Sequence, residues 1–359
     1  MLLVTFHGGK GGVNNVYGYS TKRDVKLPQT KPQTKQALSV PANIELDELR
    51  GISVYQSNLY VINGGDKTSN VLVFQGPPQT GPLFEYLDTV IGKGQSIMHP
   101  FGIAFQSPTI CYVSDQDSNV VARITLTTGA GGTVTGSLGS GCQSAYLTSL
   151  YPPASNFLDG TMVASQNGNL VGVPVIAPNV PQNQGGLNVL PAAVNNQPVA
   201  PSNSVRDVAV ANAILFVCDE VDSQVNMYSL SGGTYLGSGS LPDGPTHIAL
   251  GGGGLWVSAG ASLSWSALPA STQGASLTFQ QIAIGVPGKN KIGGISFEDS
   301  GNVYVIFQDG TGGTGSGSIQ KYKVTPGAPP TLSNATVFAT IAEDTPEFCL
   351  WVSDSHWPA

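Results

Sequence analysis

The sequence predicts an all-β fold, a six-bladed β-propeller of four-stranded blades that is closed by the C-terminal strand joining the N-terminal blade. Three observations predict it. A short strand–turn–strand unit recurs along the 359 residues. The composition, with 46 Gly, 25 Pro and only 10% charged residues, suits short strands joined by turns. The two ends of the chain carry complementary parts of one unit, as a closed ring requires.

The second strand of the unit is its clearest element. It combines an aliphatic residue, an aromatic residue and valine, and its copies occupy residues 59–63, 111–115, 215–219, 255–258 and 303–306. The opening residues 2–6 form a further copy, with leucine in place of the aromatic residue. The copies lie roughly 50 residues apart, except across residues 127–203. Such a repeat indicates one supersecondary unit per copy.

The other strands of the unit follow the same repeat. Small residues precede the second strand at 51–54, 102–105, 207–210, 247–250 and 294–297, which suits a crowded innermost strand. Third strands are expected at 70–74, 119–124, 224–228, 263–267 and 319–324, and outer strands at 84–91, 277–284 and 336–341. Four strands in each of six units are typical of a propeller.

The ends of the chain predict how the ring closes. The first unit has a second strand and a third strand, at 15–20, but no innermost strand before them. Residues 346–352 have the character of an innermost strand and supply the missing one. A C-terminal strand that joins the N-terminal blade removes two exposed sheet edges.

Residues 127–203 interrupt the even spacing. They are rich in Gly, Ser, Pro, Asn and Gln and are expected to hold the outer strand of the third blade and a long low-complexity insertion, which would act as a lid or rim. The alternative is a seventh, degenerate blade at 161–176. In either case the chain is expected to be one domain, 1–359.

Charge limits the classes of partner. The net charge is −7, and nothing resembles a basic nucleic-acid footprint. The most basic stretch, residues 22–35, is broken by proline and predicts a solvated loop. No apolar run reaches the roughly 18 residues of a membrane span.

Cysteine usage and polarity give an expectation about location. The four cysteines do not form a dense disulfide framework. Cys111, Cys218 and Cys349 lie in strand patterns and are expected to be small buried apolar residues. Few lysines beside many Ser, Thr, Asn and Gln predict a secreted protein, extracellular or periplasmic, whose leader is absent from this chain.

One segment resembles a known group of propellers. Pro100-Phe101-Gly102-Ile103-Ala104 is followed by Tyr112-Val113-Ser114-Asp115 and then by Asn119-Val120-Val121. This pattern resembles NHL-repeat propellers, and it covers most of the chain outside the insertion, more faintly beyond the second to fourth blades. The resemblance implies the fold. The group includes peptidyl-hydroxyglycine amidating lyases, streptogramin lyases and binding propellers, so it does not select one activity.

A propeller gathers distant residues at one mouth of its channel. The starts of the innermost strands and the ends of the second strands lie on the same face. The first group comprises Arg50, His99, Arg206, His247 and Glu347. The second group comprises His7, Asn63, Asp115, Asp219, Glu220 and Asp309. Histidine, arginine and carboxylate groups in a concave site are typical of ligand binding or acid–base chemistry.

These residue types predict roles, each with a structural alternative. The candidate catalytic residues are His99, His247, Arg50 and Arg206, and the candidate ligand-binding residues are Asn63, Asp115, Asp219, Glu220 and Glu347. The histidines His7, His99 and His247 are candidate ligands of Zn²⁺, while Asp and Asn oxygens are candidate ligands of Ca²⁺. The alternatives are Asx turns for the Asp and Asn residues, and clamps in which the two arginines pair with Glu48 or Asp207.

Three functions follow from this set. The first is a secreted propeller that binds a small polar or anionic ligand, of carbohydrate or peptide type, with the arginines forked onto an anion. The second is a metal-assisted lyase or hydrolase that uses the same cluster, with a histidine as general base. The third is a protein-interaction scaffold that uses the rim and the insertion. The sequence does not choose between binding and turnover.

Overall fold

The protein is described from a computed structural model. It describes residues 1–65, 68–76, 83–91, 99–116, 120–138, 161–163, 193–194, 197–198, 205–230, 235–285, 291–309 and 315–353. Apart from a short 3-10 turn, Ala130–Gly132, the regular structure in these ranges is β-strand. No helix within them has the length and apolar character needed to cross a membrane.

The strands agree with the predicted repeat. In chain order they are β1 (Leu2–Phe6), β2 (Tyr17–Tyr19), β3 (Leu38–Ser39), β4 (Leu49–Tyr55), β5 (Asn58–Asn63), β6 (Asn70–Gln75), β7 (Phe84–Ile91), β8 (Pro100–Ser107), β9 (Ile110–Asp115), β10 (Val120–Thr128), β11 (Val134–Leu138), β12 (Thr161–Val163), β13 (Ala193–Val194), β14 (Gln197–Pro198), β15 (Val205–Ala211), β16 (Ile214–Asp219), β17 (Gln224–Ser229), β18 (Tyr235–Ser240), β19 (Pro245–Gly251), β20 (Gly254–Ala259), β21 (Ser262–Ala267), β22 (Gln280–Ile282), β23 (Lys291–Glu298), β24 (Asn302–Asp309), β25 (Ser316–Thr325), β26 (Thr331–Ile341) and β27 (Pro346–Trp351).

The strands form six blades, which confirms the predicted fold class. Blade 1 consists of β27, β1 and β2, blade 2 of β4 to β7, and blade 3 of β8 to β11. Blades 4, 5 and 6 consist of β15 to β18, β19 to β22 and β23 to β26. Within each blade, neighbouring strands are antiparallel and follow one another from the channel outward. Blade 1 has three strands among the described residues, one fewer than the prediction.

The predicted closure is confirmed. β27 pairs with β1 in antiparallel register, with Leu3 opposite Leu350 and Val4 opposite Cys349. The joint is reinforced by Asp344, which is fully buried. Its Oδ2 atom accepts hydrogen bonds from the backbone N–H of Gly8 at 3.0 Å and of Val13 at 2.7 Å. The ring is thus joined by a strand pair and by a buried carboxylate.

The basic stretch expected to be a solvated loop has a second role. Its lysine side chains are exposed, as predicted, but its backbone runs along the outer strands of three blades. Gln29 pairs with Ala339 of blade 6, and Thr34 pairs with Gly18 of blade 1. β3 then pairs with β7 of blade 2 in parallel. The segment therefore fastens the outer edges around the closure, and at Thr34 it covers β2.

The core consists of clusters between neighbouring blades. Each of the six hydrophobic clusters joins one pair of neighbours around the ring. For example, Val73 of blade 2 packs with Val113 of blade 3, and Val4 of blade 1 packs with Ile306 of blade 6. The three cysteines in the described ranges are free and buried inside these clusters or beside them, as predicted for Cys111, Cys218 and Cys349.

The innermost strands crowd the axis, which explains their small residues. A Cβ atom on Gly51 would lie 2.7 Å from the carbonyl oxygen of Phe101 in the next blade. The register of the innermost strand against the second strand shifts in all six blades, between pairs such as Leu49/Ile52 and Val205/Val208. A bulge of this kind redirects side chains and is frequent next to binding sites.

The predicted insertion lies largely outside the described residues. Its first part contains the end of β10 and the outer strand β11, as expected. Residues 161–163, where a seventh blade was the alternative, form β12, which pairs with β10 of blade 3. Residues 139–160 and 164–192 lie outside the described ranges, so the proposed lid stays a prediction.

Candidate functional site

A cavity of about 700 Å³ lies at the channel mouth that the sequence identified. The structure brings seven of the ten predicted site residues to its wall: His7, Arg50, His99, Arg206, Glu220, His247 and Glu347. They come from five of the six blades and from positions up to 340 residues apart, since His7 and Glu347 both line it. We call this space the polar cavity.

Three predicted ligand-binding residues do not line the polar cavity. Asn63, Asp115 and Asp219 are fully buried at the ends of their second strands. The Oδ1 atom of Asn63 accepts a 2.7 Å hydrogen bond from the backbone N–H of Asp47, and Asp219 accepts one of 3.2 Å from Asp222. Asp115 accepts one of 3.3 Å from the backbone N–H of His99. Their expected ligand contacts are corrected, because their side chains hold loops in place. Asn63 and Asp115 bond to the segments that lead into the innermost strands of their blades, and Asp219 bonds to the loop that follows it.

Arg50 is the buried centre of the site, with a side chain that is 4% exposed. Its Nη2 atom lies 2.9 Å from Glu48 Oε2, and its Nη1 atom lies 3.6 Å from Glu347 Oε1. The same Nη1 atom donates a 3.1 Å hydrogen bond to the carbonyl oxygen of His7. The predicted alternative, that Arg50 pairs with Glu48, is confirmed, and Arg50 also pairs with Glu347.

Arg206 is held by different partners from those expected. Its Nε and Nη2 atoms lie 2.9 Å and 2.8 Å from one oxygen of Glu220. Its Nη1 atom donates to Gln116, and its guanidinium lies 5.0 Å from the centre of the Phe101 ring. The predicted pairing with Asp207 is wrong, because Asp207 bonds to the backbone on the other side of the strand.

His99 connects the two arginine groups. Its Nε2 atom lies 3.5 Å from Glu48 Oε2, and its Nδ1 atom lies 3.0 Å from the side-chain nitrogen of Gln116. The hydrogen bond between Glu48 and His99, together with the charge of Arg50, lowers the pKa of Glu48 although burial opposes this. The polar side chains thus form one continuous series of contacts around the mouth, from Glu220 through His99 to Arg50.

His247 and Glu347 end this series of contacts at the floor of the cavity. His247 is almost completely buried, and its Nε2 atom lies 3.7 Å from Glu347 Oε2. Its Nδ1 atom lies 3.0 Å from the hydroxyl of Thr246. Burial by itself raises the pKa of Glu347, but the imidazole of His247 and the charge of Arg50 outweigh it and lower the pKa to about 2. Glu347 is therefore ionised at neutral pH.

Three buried nitrogen atoms around Glu347 have no hydrogen-bond partner among the described residues. They are His7 Nδ1, Arg50 Nε and His247 Nε2. The 3.7 Å between His247 Nε2 and Glu347 is too long for a hydrogen bond. Buried polar atoms are normally paired, so a group of unpaired ones needs an explanation. All three atoms belong to side chains that line the polar cavity, so these side chains have unused capacity for hydrogen bonds.

The charges of the polar cavity are balanced. Its lining includes three basic residues, Arg50, Arg206 and Lys291, and four acidic ones, Glu48, Glu220, Asp243 and Glu347. Both arginine forks already hold carboxylates. The expectation that the forks would be open to an anion is therefore corrected, because a ligand anion would have to displace glutamates that lie in the same protein.

The predicted histidine metal site is not formed. The described residues contain no group of three or more His, Cys, Asp and Glu side chains placed to hold a metal ion. Of the proposed Zn²⁺ ligands His7, His99 and His247, the last two are directed to partners of their own. Asp115 and Asp219, which are among the aspartates at this mouth that could supply oxygen ligands to Ca²⁺, accept hydrogen bonds from backbone N–H groups.

An aromatic cluster lies beneath the polar cavity. The ring of His247 is 4.5 Å from that of Phe348, and Phe101 is 5.2 Å from Phe348. All three side chains are buried. His247 also lines a second cavity, of about 410 Å³, toward the other end of the channel. The cluster therefore lies between the two cavities.

Two partners of the site were missed from the sequence as functional residues. Glu48 precedes the innermost strand of blade 2 with a positive φ of 49°, and Gln116 follows the second strand of blade 3. Gln116 occupies the same place after its second strand as Glu220 does in blade 4, so the repeat could have identified it. The only signal for Glu48 was its position two residues before Arg50.

Comparisons with known proteins address the fold. No family model matches the sequence, and no curated protein matches it. A solved protein from Lactobacillus plantarum is 14% identical, with a TM-score of 0.50 over 94% of this chain and 82% of that chain. A putative 6-phosphogluconolactonase from Bacteroides fragilis is 12% identical, with a TM-score of 0.51 over 94% and 81%. A streptogramin B lyase is 9% identical, with a TM-score of 0.46 over 96% and 91%. The chain is a six-bladed β-propeller, in agreement with its resemblance to NHL-repeat propellers.

Proposed function

We propose that the protein binds a small, uncharged, hydroxyl-rich molecule of carbohydrate type in the polar cavity. The observation that carries the proposal is the group of unpaired buried nitrogens around Glu347, inside a wall of balanced charge. A sugar hydroxyl both donates and accepts hydrogen bonds. It therefore suits a wall in which carboxylate oxygens alternate with imidazole and guanidinium nitrogens.

Size and charge support the same ligand class. The volume of about 700 Å³ lies within the range of about 300–1,000 Å³ found for small-molecule sites. A neutral ligand leaves the ion pairs of Arg50 and Arg206 intact. An anion would compete with Glu48, Glu220 and Glu347 for the same guanidinium groups.

The proposal is tested by calorimetric titration with glucose, galactose, N-acetylglucosamine and cellobiose, and with citrate and inorganic phosphate as anions. We expect at least one sugar to bind, and the variants His99→Gln and Glu220→Gln to weaken it at least tenfold. Glu298→Gln is the control, because Glu298 bonds to Lys321 at 2.8 Å and does not line the cavity. Binding of the anions but of no sugar would refute the proposal.

A second function, acid–base catalysis, is favoured by the two histidine–glutamate pairs. His99 beside Glu48 and His247 beside Glu347 each combine an imidazole with a carboxylate that can orient it. Arg50 lies between the pairs, where it could stabilise a developing oxyanion. The fold shared with the putative 6-phosphogluconolactonase suggests one reaction class, in which water opens a cyclic ester to a hydroxy acid.

That activity has a direct assay. Because the arginines are occupied, we expect hydrolysis of δ-gluconolactone above the spontaneous rate and no preference for its 6-phosphate. His247→Gln should abolish the enzymatic rate and Glu298→Gln should retain it. Equal rates with and without the protein would leave binding as the function. Secretion and a scaffold role for the insertion stay predictions from composition.

A further inference from the structure

The second cavity has a different character from the polar cavity. Its wall includes one apolar side chain from near the C-terminal end of each innermost strand. We call these six residues the apolar collar: Tyr55, Phe105, Val210, Leu250, Phe297 and Trp351. The rings of Tyr55 and Phe105 are stacked at 4.5 Å with an interplanar angle of 6°. Leu250 is 38% exposed, so the collar is open to solvent.

One carboxyl group lies at the floor of this cavity. Asp207 is 6% exposed and is the only Asp or Glu among the described residues that line it. Its Oδ1 atom accepts a 2.9 Å hydrogen bond from the backbone N–H of Val208, and its Oδ2 atom accepts one of 3.1 Å from Ile248. A Cβ atom at residue 102 would lie 2.2 Å from Oδ1, so Gly102 makes room for the carboxyl group.

Asp207 has no basic partner among the described residues. The described lining of the second cavity contains no lysine or arginine. The other titratable groups around the carboxyl are His247, on the strand that holds Ile248, and the buried thiol of Cys218. Burial raises the pKa of Asp207 to about 7, although its two backbone hydrogen bonds act in the opposite direction. An ionised carboxylate here would be stabilised by a cation that the chain itself does not supply.

We propose that the second cavity binds an amine that carries an aromatic or aliphatic group, with the ammonium on Asp207 and the apolar group inside the collar. The volume of about 410 Å³ accommodates a small arylalkylamine. The collar removes the apolar group from water, and the buried carboxylate selects the cation. The negative net charge of −7 favours the approach of a cation. This site does not depend on the function proposed for the polar cavity.

The test compares two probes of the same shape. Calorimetric titration at pH 8 with 2-phenylethylamine and with 2-phenylethanol separates the contribution of the ammonium charge to the affinity from that of the aromatic ring. We expect the amine to bind at least tenfold more tightly than the alcohol. Asp207→Asn should bring the two affinities within about twofold. At pH 5.5, where Asp207 is protonated, the wild-type protein should bind the amine more weakly and the alcohol as before.

A second pair of variants makes the test independent of whether Asp207→Asn folds. Leu250→Lys adds a positive charge to the exposed collar and removes one of its apolar side chains, so it should weaken binding of the amine at least fivefold more than it weakens binding of the alcohol. Val221→Lys adds the same charge at the polar cavity, where Val221 is 50% exposed, and should leave amine binding unchanged. Equal wild-type affinities for the two probes, no binding of the amine, or equal effects of the two lysine variants would overturn the proposal.

Discussion

Glu347→Gln tests whether the ion pairs at the floor of the polar cavity hold the ring together. Glu347 lies on β27, the strand that closes the propeller, and its carboxylate faces Arg50 of blade 2 and His247 of blade 5. The side chain is 11% exposed, so solvent screens these interactions little. Glutamine keeps the shape of glutamate and removes only its charge.

The lowered pKa of Glu347 sets the size of the effect. Glutamate in an unfolded chain has a pKa of 4.5, and in the folded protein the value is about 2. Each unit corresponds to about 1.4 kcal/mol, so the ionised carboxylate stabilises the folded state by about 3 kcal/mol near neutral pH. The variant should therefore lose roughly 2–4 kcal/mol at pH 7, which overlaps the range of about 3–5 kcal/mol expected when one partner of a buried pair is removed.

The sign of the pH dependence follows from the direction of the shift. A group whose folded pKa is lowered stabilises the protein above its unfolded pKa and loses this contribution as the pH falls through the folded value. The difference between wild type and Glu347→Gln should thus be complete above about pH 5 and should shrink between pH 4.5 and about 2.

Urea unfolding followed by tryptophan fluorescence at pH 7, 5.5, 4 and 3 measures this difference. Glu343→Gln is the control, because it breaks an ion pair with Lys35 whose side chains are 53% and 48% exposed, and such pairs contribute at most about 1 kcal/mol. If Glu347→Gln costs no more than this control at pH 7, or if its cost does not change with pH, the electrostatic account of the floor is wrong.

Other predictions follow from the same buried groups. Because the folded pKa of Asp207 is raised to about 7, wild-type stability should fall as the pH rises from about 4 to 7, and Asp207→Asn should flatten this slope in urea unfolding at pH 5 and 8. Asp344→Ala leaves the backbone N–H groups of Gly8 and Val13 unpaired in the interior and should cost about 2–4 kcal/mol, against a negligible change for the exposed Asp24→Ala. Burial raises the pKa of the thiols of Cys111, Cys218 and Cys349, so these three should be protected in the native protein. Ellman's reagent should therefore react with at most one thiol in the native protein and with all four in denaturant.

The repeat made most of the fold predictable. Residues at the same place in each unit must lie at equivalent positions in each blade, so strand identity followed from the recurring residue pattern, and ring closure followed from the innermost strand that the first unit lacks. The same reasoning placed Arg50, Arg206 and Glu347 at one mouth, because each starts an innermost strand. What a repeat shows is position.

Position alone does not show which way a side chain is directed. Asn63, Asp115 and Asp219 occupy the equivalent place at the ends of second strands, yet all three are fully buried and bond to backbone groups. Glu220, one residue further than Asp219, reaches the cavity instead. A shift of one residue reverses the side chain of an extended backbone, and no composition signal fixes that register.

Segments outside the repeat were the least predictable. The backbone pairing of residues 20–39 with three blades depends on single bridges at Gln29 and at Thr34 and on the two-residue strand β3, which leave no periodic pattern. Proline and lysine in this stretch correctly predicted exposed side chains but gave no information about backbone hydrogen bonds.

The side chains at the two ends of the innermost strands explain why the two mouths differ. Around the ring, the residues at the bulge that begins each innermost strand are Arg50, Phe101, Arg206, Thr246, Gly293 and Glu347, and all but the glycine line the polar cavity. The residues that end the same strands form the apolar collar. The backbone repeats, so the difference between a charged mouth and an apolar mouth arises from side chains alone. Substitutions at residues that line only one of the two cavities should therefore change its ligand without changing the ligand of the other.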